Sequence, residues 1–155
     1  MAVGEDLWTE MQARYNRGDL SGATSLYASE VVYVDPLGRY EGPEAVLASW
    51  EAGDTAFPGA RMQTSRRLEE GDTLVAAEYN WRAAHTGAFD LPDGSQLPAS
   101  GNNVEYSGLT ILTVRDAKFA SQRDYFDSAV VMAQMGLMPG AWHRPGRTQI
   151  VRVER

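Results

Sequence analysis

The sequence predicts an α+β fold: a long, curved mixed or antiparallel sheet wrapped over helices into a cone with one central cavity. Three observations lead there. Helical periodicity is confined to the first third of the chain and to a short closing segment. Between residues 61 and 126 the pattern is almost entirely strand. Those strands follow one another without intervening helices, so they pair as sequence neighbours rather than through alternating βαβ crossovers.

Each element has its own signal. Trp8, Met11 and Tyr15 recur at three-to-four spacing and predict an amphipathic helix over 5–17. Gly18-Asp19 stops it and caps a second short helix carrying Ala23, Leu26 and Tyr27. Val31 to Asp35 is β-branched and aromatic and ends at Pro36, as a strand does. Gly42-Pro43 opens a third helix with Val46, Leu47 and Trp50 behind it, because proline's fixed φ suits a first turn. Arg61–Leu68 is a polar strand ending near Gly71-Asp72. In Thr73–His85 the residues Val75, Ala77, Tyr79, Trp81, Ala83 and His85 share one face, and Glu78, Asn80 and Arg82 the other. Asp90–Gly94 is read as a loop, Val104–Val114 and Phe119–Phe126 as strands, and the run from Val130 to Leu137 as a closing helix. Residues 1–137 are expected to form one domain, with 138–155 a C-terminal extension interrupted by Pro139-Gly140 and Pro145-Gly146 and containing Trp142.

Charge and composition exclude several function classes. The 155 residues carry 21 acidic and 14 basic side chains, a net charge of −7. A polyanion needs a basic face, so neither nucleic acid nor an anionic membrane is expected as a partner. Cysteine is absent and histidine occurs only at 85 and 143, so no metal site and no thiol chemistry are expected. The first residues lack a basic-then-apolar leader profile, and no apolar run approaches ~20 residues. The expectation is a cytoplasmic protein. No nucleophile elbow, phosphate loop or dinucleotide fingerprint occurs, and no cofactor is expected.

Two carboxylates carry the candidate chemistry. Tyr33 and Asp35 are two apart on a strand, so phenol and carboxyl point the same way. Asp35 then either faces an apolar interior, where its pKa rises into general acid/base range, or closes an Asx turn after Pro36. In Gln122-Arg123-Asp124-Tyr125-Phe126-Asp127, alternation puts Gln122, Asp124 and Phe126 on one face. Asp127 is placed to cap the following helix, whereas Asp124 has no local role. It either faces solvent beside an arginine or is buried against a neutral donor such as Gln122. Trp50, Tyr79, Trp81 and Tyr106 are candidates to line a cavity or to fill the core. His85 is a candidate substrate contact, although a lone histidine on an apolar strand face is more often structural.

The chain resembles the nuclear-transport-factor-2-like superfamily, a cystatin-like α+β barrel, over residues 5 to about 137. Gly18-Asp19-Leu20, Leu26-Tyr27-Ala28 and Val34-Asp35-Pro36-Leu37-Gly38 are similar to ketosteroid isomerase, which implies a proton-shuttling role for Asp35. That family's oxyanion-hole residues fall near Met11 and Thr110 here. Arg123–Asp127 with Tyr33 is similar to limonene epoxide hydrolase. The same run, with His85-Thr86-Gly87, Leu97-Pro98 and Gln134–Leu137, is most similar to the SnoaL-like polyketide cyclases. That likeness implies Asp124 as the general acid/base of a ring closure; the ketosteroid isomerase likeness supplies Asp35 as its partner, and the epoxide hydrolase likeness supplies Tyr33 as a hydrogen-bond donor. A hydrophobic oxygenated substrate is expected, with Trp50, Tyr79, Trp81, His85, Tyr106 and Gln122 as candidate contacts and no cofactor, and the superfamily resemblance implies a homodimer. The expected reaction is cyclisation or isomerisation, with epoxide-type water addition as one alternative and a non-catalytic small-molecule-binding module as another. Mutual repulsion between the two carboxylates is expected to hold one protonated near neutrality.

Overall fold

In the computed structural model, which describes residues 3–91 and 93–137, the chain begins with α1 (Val3–Asn16) and α2 (Leu20–Thr24). It continues through β1 (Tyr27–Asp35), β2 (Gly38–Glu41), α3 (Pro43–Ala56), β3 (Arg61–Glu70) and β4 (Leu74–Ala84). A two-residue pair, β5 (Phe89–Asp90) and β6 (Gln96–Leu97), precedes β7 (Asn103–Arg115), β8 (Lys118–Phe126) and α4 (Ser128–Gln134). Pro92 and the 138–155 extension with Trp142 lie outside the described residues. No helix among the described residues is long and apolar enough to cross a membrane.

The main sheet has six strands in the order β2-β1-β8-β7-β4-β3. Every neighbouring pair is antiparallel except β1 and β8, which run parallel with Tyr33 opposite Gln122. Register breaks at Thr64/Arg66, Tyr27/Val32 and Thr113/Val114 interrupt the ladders. Such bulges bend and twist strands, which curves this sheet around the helices. The β7–β8 hairpin turns at Asp116 and Ala117, both with positive φ (51° and 55°), the geometry that matches strand twist in a two-residue turn.

The core lies between α1 and the concave sheet face. Trp8, Met11, Val31, Val46, Val75, Leu112 and Phe119 are buried there. Burying each such side chain stabilises by roughly 1.5–3 kcal/mol, which orients α1 by its apolar stripe. Trp8 Nε1 donates to Thr64 Oγ1 at 2.7 Å, so the indole's one polar atom is satisfied.

The α+β reading holds, and four details of the sequence reading are corrected. Tyr27 starts β1 instead of continuing the second helix; Ala28-Ser29-Glu30 has little strand propensity and lies in the irregular stretch between the Tyr27–Phe119 and Val32–Ser121 pairs. The strand Gly38–Glu41 was unrecognised because it is too short to show alternation; it pairs back onto β1 through the Pro36-Leu37 turn. The loop around Asp90–Gly94 is flanked by the small β5–β6 ladder. The closing helix ends at Gln134, where Leu137 N–H bonds Met132 O and Gly136 N–H bonds Ala133 O. With Gly136 at φ +88°, these contacts form a Schellman C-cap.

Candidate active site

The curved sheet, α1, α3 and α4 enclose a cavity of about 660 Å³. Asp124, Asp35, Tyr33, Gln122, Trp50, Tyr79, Trp81 and Tyr106 all line it. Alternation along β8 turns Gln122, Asp124 and Phe126 inward, while Arg123 and Tyr125 face solvent. Pairing of β1 with β8 brings Tyr33 to the same wall.

Asp124 is held by two neutral donors. Gln122 Nε2 donates to Oδ1 at 2.9 Å, and the Tyr33 hydroxyl donates to Oδ2 at 2.9 Å. The Tyr27 hydroxyl donates to Gln122 Oε1. That contact fixes the amide so that its NH₂ must face the carboxylate. Thr110 lies directly across from Asp124 in the β7–β8 ladder. Its hydroxyl is near enough to stabilise the carboxylate, yet it is fully buried and makes no hydrogen bond of acceptable geometry.

Burial pushes the Asp124 pKa up to about 6, against the opposing pull of Thr110, Gln122 and Tyr33. The carboxyl keeps some accessible surface because it faces the cavity, but protein atoms surround it on every side. The charge of Asp35 is the smallest contribution. Removal from water, rather than the mutual repulsion expected from the sequence, is the main cause of the rise. Asp35 is raised as well, first by burial, with the Leu37 and Gly38 backbone bonds and the Tyr33 hydroxyl opposing. Both readings of Asp35 hold at once. It lines the cavity, and its Oδ1 accepts from Leu37 N at 2.7 Å and Gly38 N at 2.8 Å in an Asx turn. The buried phenol of Tyr33 sits well above the usual tyrosine range, first through burial and then through Asp124, so it remains a neutral donor.

Much of the remaining lining is aromatic. Trp81 stacks on Tyr106 at 5.1 Å, Tyr106 stacks on Phe126 at 4.7 Å, and Trp50 meets Tyr15 edge-on at 5.5 Å. Trp81 Nε1 donates to the Tyr15 hydroxyl at 2.9 Å.

His85 is the exception among the candidate residues. It does not line the cavity, because Phe57 stands between, its ring 5.1 Å away. His85 Nδ1 lies 2.9 Å from Ser100 Oγ and 3.2 Å from Ser100 N. Its role as a substrate contact is replaced by one of tying β4 to the 100–102 segment. Several lining residues were not among the cavity candidates, among them Met11, Tyr40, Phe57, Asp54, Asp90 and Met132. They come from five different elements and the loop after α3, and no spacing rule connects them. Among the described residues no three His, Asp or Glu side chains converge as a metal-ligand set.

The SnoaL-like polyketide cyclase family matches residues 5–135. The chain belongs to that family. No curated protein matches it. Among solved structures, AclR from Streptomyces galilaeus is similar at 24% identity and TM-score 0.74, over 87% of this chain and 82% of AclR. IdmH from Streptomyces antibioticus is similar at 24% identity and TM-score 0.70, over 85% of this chain and 97% of IdmH. A Catenulispora acidiphila protein with a ketosteroid isomerase-like fold is similar at 21% identity and TM-score 0.70, over 89% of this chain and 97% of its own. These likenesses show that this SnoaL-like chain shares their fold.

Proposed function

We propose that this SnoaL-like chain is a cofactor-independent acid/base enzyme that closes or isomerises a hydrophobic, oxygenated small molecule, with Asp124 as the proton carrier. The observation that supports this reading best is Asp124 itself. It is a cavity-facing carboxyl desolvated to a pKa of about 6 and held in place by Tyr33 and Gln122. Family membership and the likeness to IdmH, itself a proposed polyketide cyclase, support the reaction class.

In the ring closure, ionised Asp124 takes a proton from a carbon next to a carbonyl. The resulting enolate carbon attacks a second carbonyl of the same molecule and forms the new C–C bond. The alkoxide so produced takes the proton back from Asp124, so the enzyme ends in its starting state. Tyr33 and Gln122 keep both carboxyl oxygens oriented, and the aromatic wall excludes water. A positioned acid/base group contributes typically ~10²–10⁴-fold to rate.

The test is deuterium exchange into the α-carbon of 2-tetralone, followed by proton NMR in heavy water with wild type and Asp124→Asn. Catalysed exchange that rises with pH through a midpoint near 6 and falls by ~10²-fold or more in the variant is expected. Equal exchange in both proteins overturns the assignment.

A further inference from the structure

We propose that the cavity selects a flat aromatic molecule bearing a protonated amine and rejects carboxylates. This rests on the reading above only in taking the cavity as the substrate site.

The lining carries four carboxyl groups and, among the described residues, no lysine, arginine or histidine. They are graded by depth. Asp54 and Asp90 are exposed at the rim, Asp35 is half-buried, and Asp124 lies inside. Arg17 and Arg61 share a neighbouring groove with Asp54 but do not reach the cavity lining. Aromatic rings, Trp50, Trp81 and Tyr106 among them, line the cavity beside these carboxyls. An aromatic face carries negative charge density and attracts a cation, most strongly where water is excluded. Carboxylates and ring faces thus act in the same direction, and the net charge of −7 adds attraction at long range.

An anionic substrate would meet the reverse. A buried carboxylate needs donors or a counter-charge. The Trp81 indole N–H is engaged by Tyr15, the Tyr33 hydroxyl by Asp124, and the Gln122 amide by Asp124 and Tyr27. Seating an anion beside Asp124 would place like charges together and compete for the donors that orient Asp124.

Three probes of matched shape test the proposal: 2-naphthylmethyl-trimethylammonium, 2-naphthylmethanol and 2-naphthylacetate. Their affinities are measured by isothermal titration calorimetry at pH 7.5 and low salt. The ammonium is expected to bind about tenfold or more tighter than the alcohol, in line with a desolvated cation–π site, and the carboxylate weakest. Asp54→Asn with Asp90→Asn is expected to weaken the ammonium a few-fold and leave the alcohol unchanged, and raised salt to narrow the gap. Asp35→Asn, whose side chain can keep the Asx turn, is expected to lower the preference further. Equal or tighter binding of the carboxylate, or no binding of any probe, overturns the proposal. Because binding order is read without turnover, its failure leaves the acid/base reading standing. Loss of α-proton exchange with this order intact removes only the catalytic one.

Discussion

The Tyr33 hydroxyl donates to Asp124 Oδ2 at 2.9 Å and joins the parallel strands β1 and β8 at the cavity wall. A phenol whose own ionisation is pushed well out of range can only donate here, and a donor favours the ionised carboxylate. Tyr33 is thus a brake on the pKa that burial raises. The Tyr33 ring also stacks on Tyr40 with centroids 5.5 Å apart, a contact that phenylalanine keeps. Tyr33→Phe is therefore expected to leave the fold intact and to move the Asp124 midpoint above about 6, carrying the pH profile of α-proton exchange with it. Carbon-13 NMR titration of the carboxyl measures the shift. An unmoved or lowered midpoint would show that the hydroxyl does not hold the charge in place.

Asp124 should also destabilise the protein at neutral pH. Its folded pKa of about 6 stands above the ordinary value of 3.8, so the folded state binds the proton more tightly than the unfolded one. Stability then falls as pH rises from about 4 to about 6 and is flat beyond. The difference of roughly two pKa units amounts to about 3 kcal/mol. Asp124→Asn removes this dependence. Relative to wild type it is expected to gain about 3 kcal/mol between pH 4 and pH 7 in urea unfolding, whatever constant offset the altered hydrogen bonding adds. A difference that does not change with pH would contradict the desolvated carboxyl.

Gly108 on β7 faces Tyr79 on β4 in the ladder. A Cβ at 108 would stand 2.5 Å from Tyr79 Cζ and 2.6 Å from its hydroxyl oxygen, closer than packed atoms tolerate. Gly108→Ala must displace a ring that lines the cavity, so it is expected to cost about 1–3 kcal/mol in stability. It is also expected to weaken binding of 2-naphthylmethanol. Thermal unfolding and calorimetry check the two effects, and a variant as stable as wild type would mean that the ring moves freely.

Much of the architecture was legible because it rests on local periodicity. The alternation in β4 and β8, the Asp127 cap of α4 and the Asp19 cap of α2 follow from rules that act over a few residues. The short strand β2 and the true start of β1 were not legible: Gly38–Glu41 becomes strand only by pairing with β1, and Tyr27 by pairing with Phe119 ahead of an irregular stretch.

The candidate site divides the same way. The sequence by itself determined which residues share a face along β1 and β8, and so placed Tyr33 with Asp35 and Gln122 with Asp124. Only the tertiary structure decided that the two pairs share a wall, because the contact between β1 and β8 joins residues about ninety positions apart. It also decided that Phe57 screens His85 from the cavity and that burial, more than a neighbouring charge, raises the Asp124 pKa. Side-chain direction is a property of the local backbone. Desolvation is a sum over everything that surrounds a group, and that sum exists only once the chain has closed around it.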